Sequence, residues 1–164
     1  MKLIVARIPV NGLEAEWRAA RMEEQPRPVI LDPHRRAHLP KLLSLVSSAQ
    51  AKSPWIFCRD DDVEANDRYV PLKMENGRFS WTEILSTLAT RGIKSVMIEG
   101  GASVINDVLS QNMADIIIIT IAPVFIGRDG VGIAASFQKE EWLCDVQSIS
   151  VGNDIVLAGR IRKE

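Results

Sequence analysis

The residues best suited to chemistry in this chain gather at two points, each directly after a run of apolar, mostly β-branched residues. The first is Asp32-Pro33-His34-Arg35-Arg36, which follows Pro28-Val29-Ile30-Leu31. The second is Glu99-Gly100-Gly101-Ala102-Ser103-Val104, which follows Ser95-Val96-Met97-Ile98 and opens a helical pattern of Val104, Ile105, Val108 and Leu109. A strand that ends in two glycines and feeds straight into a helix lets backbone approach a ligand closely. The unpaired N–H groups of the first helical turn, together with the helix dipole, then favour phosphate or another anion. The donors here would be the main chain of Gly100, Gly101, Ala102, Ser103 and Val104, supplemented by the Ser103 hydroxyl. Taken alone, the glycine pair fits a ligand-free βα turn equally well. Arg35 and Arg36 suit a ligand phosphate, because guanidinium is a bidentate partner for it, and they also suit a solvated surface.

Other candidates are weaker. His34 and His38 are i,i+4 neighbours, but Pro33 and Pro40 bracket them and no Glu or Cys ligand lies nearby, so no metal site is expected. Cys58 and Cys144 are the only cysteines and lack metal-type spacing, which points to two free thiols in a reducing compartment.

The elements that must position these residues alternate in type, the pattern of an α/β sheet flanked by helices. Pro28 to Leu31 predicts a buried strand, and Leu39, Leu42, Leu43 and Val46 share one face of a helix over about 38 to 50. Pro54 to Cys58 is the next strand, leading into an acidic turn at Arg59-Asp60-Asp61-Asp62. Tyr69-Val70-Pro71-Leu72 suits only an edge strand, since proline donates nothing to a ladder. Ser80 and Glu83 have the spacing of a capping box, followed by Trp81, Ile84, Leu85, Leu88 and Ala89 on one face and a stop at Gly92. Ile116 to Ile121 is almost unbroken apolar sequence, which predicts a strand buried on both faces. Val146 to Val151 and Ile155 to Ile161 flank Gly152-Asn153-Asp154 as an antiparallel hairpin. At the front, Leu3, Ile4, Val5 and Ile8 suit a strand, Leu13 to Arg21 a short helix, and residues 22 to 27 an exposed loop.

With 164 residues, 46% of them apolar and 25% charged, the chain has the size and composition of one soluble domain over residues 1–164. A net charge of −1 gives no electrostatic case for nucleic acid or an anionic membrane surface. Ala114 to Ile126 is interrupted by Asp115 and Pro123 and is too short to span a bilayer. No small-residue cleavage site follows Met1 to Val10, so the cytoplasm is the expected location.

One ordered set of segments carries a family resemblance. Arg91-Gly92-Ile93-Lys94-Ser95-Val96-Met97-Ile98-Glu99-Gly100-Gly101-Ala102-Ser103, then Ala114-Asp115, then Ile121-Ala122-Pro123-Val124-Phe125-Ile126-Gly127 resemble the reductases of riboflavin biosynthesis. More closely, they are similar to the fungal and archaeal 2,5-diamino-6-ribosylamino-4(3H)-pyrimidinone 5′-phosphate reductases, relatives of the C-terminal domain of bacterial RibD. Arg27 to Asp32 and the ending Val151-Gly152-Asn153-Asp154-Ile155-Val156-Leu157 extend the likeness over about residues 25 to 162.

The resemblance implies a dihydrofolate-reductase-like fold with a mixed, mostly parallel sheet and a C-terminal antiparallel hairpin. It also implies a homodimer, NADPH as cofactor, and reduction of the ribosylamino group of a pyrimidine phosphate to ribitylamino. Pro33, His34, Arg35 and Arg36 would border the adenosine end of NADPH, with its 2′-phosphate near the arginines and Phe79 beside it. Gly100 to Val104 would hold the diphosphate. Glu99 resembles a glutamate that faces the substrate, the assignment carried forward as catalytic, while a carboxylate capping its own turn is the other role open to it. Family members begin with a Ser-x-Asp-Gly-type strand and a Val-Gly-x-x-Thr-Val-x-x-Asp-Asp-Pro stretch. Neither precedes Pro28 here, so the fold is expected to lack its N-terminal part. Two further roles stay open on that ground: a truncated relative that binds a nucleotide or other small molecule without the parent activity, or has a repurposed activity, and a non-enzymatic dimerising module.

Overall fold

Two compact units make up the chain, Met1–Gly100 and Gly101–Glu164. The structure, a computed structural model, describes residues 3–4, 26–36, 40, 52–60, 66–132 and 143–161. Of the helix expected over about 38–50 only Pro40 is described, and it is helical; the helix expected over 13–21 lies outside the described residues, as do His38, Asp61 and Asp62.

The first unit is built on a four-stranded sheet in the order β1-β2-β3-β4. Strand β1 (Leu3–Ile4) pairs antiparallel with β2 (Pro28–Leu31), while β2, β3 (Trp55–Arg59) and β4 (Tyr69–Leu72) run parallel. Val29, Ile30 and Leu31, and likewise Ile56, Phe57 and Cys58, are all buried, so neither strand shows a polar alternation. Such runs are what a parallel strand covered on both faces requires. Strand β4 alternates, burying Val70 and Leu72 but only half-burying Tyr69 and Pro71. It is the outer strand of this sheet, where a missing proline donor is tolerated, as the sequence predicts.

A hairpin that the sequence analysis did not assign follows, β5 (Met74–Glu75) with β6 (Arg78–Phe79). Its turn residues Asn76 and Gly77 have φ of 50° and 76°. Positive φ at both central positions is the type I′ pattern that Asn-Gly favours. Helix α1 (Trp81–Thr90) then buries Trp81, Ile84 and Leu88 on one stripe. Ser80 is the N-cap residue, but no side-chain capping bond forms, so the expected capping box with Glu83 is absent. The start of the helix rests instead on the backbone bond from Ile84 N–H to Ser80 O and on the burial of Trp81. The predicted stop does form. Gly92 has φ 81°, its N–H bonds Ala89 O, and Ile93 N–H reaches Leu88 O, the paired bonds of a Schellman motif. Arg91, just past the helix, and Arg27, just before β2, both lie over the Trp55 ring, at 5.0 and 4.6 Å from its centroid.

The strand expected over Ser95–Ile98 does not form; residues 93–101 have no regular secondary structure. A strand exists only where a neighbour accepts its ladder of hydrogen bonds, and no described strand pairs with this segment. Val96, Met97 and Ile98 are half-buried there.

The second unit opens with α2 (Ala102–Ser110), which buries Val104 and Val108 and closes through Asn112, with φ 53°, and a bond from Met113 N–H to Val108 O. Its sheet has the order β7-β9-β8, all antiparallel: β7 (Ile117–Ile121), β8 (Leu143–Val151) and β9 (Asp154–Ile161). A 3-10 turn at Gly127–Asp129 lies in the connection after β7. The β8–β9 hairpin matches the sequence. Val151 pairs with Asp154, leaving Gly152 and Asn153 as a two-residue loop in which only Gly152 has positive φ, as in a II′ turn. The expectation that β7 is buried on both faces is corrected. Ile118, Ile119 and Ile121 are 47%, 42% and 46% exposed. Within its sheet β7 is an outer strand bonded to β9 alone, so its apolar sequence is not matched by cover in this unit. Strand β8 carries a register shift between Cys144 and Gln147, with Asp145 at φ 53°. The irregularity presses on buried Gly159, where an added Cβ would stand 3.1 Å from Leu143 Cβ and 3.3 Å from the Cys144 carbonyl.

Among the described residues, parallel pairing is confined to β2, β3 and β4. No helix among the described residues is long and apolar enough to cross a membrane. Because the Phe57 side chain is fully enclosed at 0% exposure, Phe57→Ala is predicted to lower stability by about 3–5 kcal/mol, measured by urea unfolding followed by circular dichroism.

Candidate functional site

The first candidate set sits where β2 leaves its sheet. The parallel ladder extends one residue beyond the strand, with Asp32 N–H donating to Phe57 O at 2.9 Å. The chain then reverses sharply. Asp32 C=O accepts from Arg35 N–H at 3.1 Å, closing a four-residue turn with Pro33 at its second position, where a fixed φ is an asset. The Asp32 carboxylate folds over the same turn and accepts from Arg36 N–H at 2.8 Å. Asp32 is only 8% exposed, the sole buried charged side chain among the described residues. A side chain that short, buried beside its own turn, acts as a local template for the backbone.

The turn leaves Pro33 half-buried and His34, Arg35 and Arg36 exposed. Arg35 is in the left-handed region, with φ 52°, which costs on the order of 1 kcal/mol or more for a side chain with Cβ and persists because both flanking bonds hold it. Its guanidinium lies over the Tyr69 ring of β4, 5.7 Å from the centroid. At an exposed site such a contact contributes about 0.5–1 kcal/mol. Tyr69 was not among the site residues that the sequence suggested, since nothing in a weak edge-strand pattern marks it. Phe79, expected beside the adenosine end, is buried at the end of β6. Glu99 and Gly100 are exposed in the irregular segment that closes the first unit.

The second set opens the second unit. Gly101 is the N-cap residue of α2, with φ −69° and ψ 169°. Its carbonyl accepts from Val104 N–H at 3.0 Å and from Ile105 N–H at 3.3 Å, so Val104, a buried residue, has its amide engaged. Ala102 and Ser103 occupy the first two helical positions, where no intrahelical acceptor exists. No side chain caps this end. A Cβ built on Gly101 meets no heavy atom within 4 Å. The backbone conformation at Gly101 is one that any residue adopts. Neither backbone torsion nor a neighbouring atom among the described residues requires a glycine here, which leaves room for close approach of a ligand. This cradle, whose Ala102 and Ser103 amides make no hydrogen bond among the described residues, with the Ser103 hydroxyl beside them, has the chemistry to hold the diphosphate of a dinucleotide.

The sequence-predicted residues therefore fall into two local sites, Pro33–Arg36 in one unit and Gly101–Val104 in the other. No group of three or more His, Cys, Asp or Glu side chains able to hold a metal occurs among the described residues. Cys58 is buried and Cys144 half-buried, and neither is in a disulfide among the described residues. Removal of the carboxylate in Asp32→Ala is predicted to release Arg36 N–H and to cost about 1–2 kcal/mol. Thermal unfolding and faster amide exchange at Arg36 check it, with Asp32→Asn retaining the acceptor and most of the stability.

Comparison with known proteins agrees with the sequence likeness. The family model of the RibD C-terminal domain matches residues 5–157. A 2,5-diamino-6-ribosylamino-4(3H)-pyrimidinone 5′-phosphate reductase of Debaryomyces hansenii is 38% identical over 152 residues, covering 83% of this chain and 61% of that protein. The protein of the same name from Candida glabrata is 33% identical over 147 residues, covering 85% of this chain and 59% of its own length. The chain thus spans about three-fifths of the curated relatives it matches. The solved riboflavin biosynthesis reductase of Saccharomyces cerevisiae superposes with a TM-score of 0.71 at 26% identity, over 85% of this chain and 71% of that one. That likeness carries the dihydrofolate-reductase-like α/β fold expected from the sequence. On the strength of a model match over most of its length and a relative above 30% identity, the chain belongs to the RibD C-terminal domain family.

Proposed function

We propose that this chain is an NADPH-dependent reductase of riboflavin biosynthesis, reducing the ribosylamino group of a pyrimidine 5′-phosphate to ribitylamino. The observation that carries the proposal is Gly101, a residue whose missing side chain serves neither backbone nor packing and leaves room for a phosphate against the start of α2. The names and likeness of the relatives support the substrate class.

Reduction of the ring-opened imine adds a hydride to the sugar C1 and a proton to the attached nitrogen. The nicotinamide cofactor, when bound, supplies the hydride. The work left to the protein is to bind, orient and manage the proton. Gly101, Ala102 and Ser103 would hold the diphosphate through main-chain N–H groups, with Gly100 allowing close approach and Val104 anchoring the helix through its buried side chain. The turn Pro33–Arg36 would meet the phosphorylated adenosine. Glu99 would orient the substrate or pass the proton to the imine nitrogen. A homodimer is part of the proposal. The exposed isoleucines of β7, with Val124, Phe125, Ile126 and Val131 after it, form apolar surface that a second copy would cover.

Calorimetric titration with NADPH tests the cradle. Wild type is expected to bind, and Gly101→Trp, whose Cβ meets no heavy atom within 4 Å and whose folding circular dichroism checks, is expected to lose about tenfold or more in affinity, ~1.4 kcal/mol. With the pyrimidine substrate present, absorbance at the nicotinamide band is expected to fall. Absence of both binding and oxidation overturns the proposal. Light scattering is expected to give twice the 18.2 kDa chain mass; a stable monomer removes the dimer.

A further inference from the structure

In the sequence Arg35 and Arg36 are interchangeable neighbours, but the turn makes them different. The Arg35 backbone is left-handed and its guanidinium is drawn over Tyr69. Arg36 is fixed at its root by the bond from its N–H to the Asp32 carboxylate, while its side chain is exposed. Among the described residues, the Arg36 guanidinium makes no ion pair, hydrogen bond or ring contact. Asp32 bears on the same question from the other side. A carboxylate just past a strand in a dinucleotide site ordinarily accepts from the ribose 2′-hydroxyl and repels a 2′-phosphate. Here that carboxylate is buried, and one oxygen is committed to Arg36 N–H.

We infer that Arg36, and not Arg35, sets the preference for a 2′-phosphorylated nucleotide, with Tyr69 as the positioning residue that keeps Arg35 out of that role. This rests on the proposal that the chain binds a pyridine nucleotide. A dianionic phosphate pairs best with a guanidinium whose base is already fixed and whose donors are free. Arg36 meets both conditions. Arg35, its guanidinium held over the Tyr69 ring at 5.7 Å from the centroid, contributes to the general affinity for the adenosine end, without distinguishing phosphate from hydroxyl.

The test uses the full chain and two pairs of probes, NADPH with NADH and adenosine 2′,5′-bisphosphate with adenosine 5′-monophosphate. Wild type is expected to favour the 2′-phosphorylated member of each pair. Arg36→Gln keeps the main-chain N–H and hence the turn. It is expected to erase about tenfold or more of that preference, chiefly by weakening the phosphorylated probes. Arg35→Gln is expected to weaken both members by the same factor and leave the ratio unchanged. Tyr69→Leu frees Arg35 and is expected to restore part of the preference in the Arg36→Gln background, a gain that a merely structural tyrosine would not produce. Equal loss of preference in Arg35→Gln and Arg36→Gln overturns the inference, as does a wild type that binds NADPH and NADH equally, while nucleotide binding itself stands in both cases. Failure of the wild type to bind either dinucleotide removes the parent proposal and this inference with it.

Discussion

The parallel register of β2 against β3 is the constraint on which the rest of the first unit depends. Val29 stands opposite Trp55 and Leu31 opposite Phe57, and the ladder continues through Asp32 N–H to Phe57 O. A slip of one residue would turn Asp32 away from its turn and move the buried set to the wrong faces. Because both strands are enclosed on both sides, the sheet can end only where a polar residue satisfies its own backbone. Asp32 does this twice, with its carbonyl and with its carboxylate. The exposed arginines are a product of that ending, since a chain reversing so tightly must push the next side chains outward.

Much of this was legible in the sequence because local chemistry and fold agree there. Pro28–Leu31, Pro54–Cys58 and Tyr69–Leu72 are marked by composition and by their flanking polar residues, and the structure places strands over or within one residue of each. Gly92 marks the end of α1 because a left-handed residue is needed there. The β5–β6 hairpin had a signal as well, the Asn76-Gly77 pair, though its strands are too short to show any alternation. Tyr69 had none. Its contact with Arg35 comes from a guanidinium that reaches it from the turn after β2, and no local pattern encodes such a meeting.

The two departures share one cause. Ser95–Ile98 has the composition of a strand but no pairing partner among the described residues, and Ile117–Ile121 has the composition of a buried strand but lies at a sheet margin. Apolar sequence records what a segment is fitted to be covered by, and coverage is a property of neighbours. The Ser80–Glu83 spacing erred differently. A capping box competes with water and with nearby burial, and the enclosure of Trp81 was enough to fix the helix start without it.

The kink in β8 has a bearing on what the margin of its sheet can pair with. A margin strand with a smooth run of open amides and carbonyls is a template on which stray chains can lengthen the sheet without limit. Here the left-handed Asp145 and the slip between Cys144 and Gln147 break that run near its start, and the tight seat over Gly159 keeps the break from relaxing. Only Gln147–Val151, next to the hairpin, stays in regular register. The crease shortens the even edge that such lengthening would need.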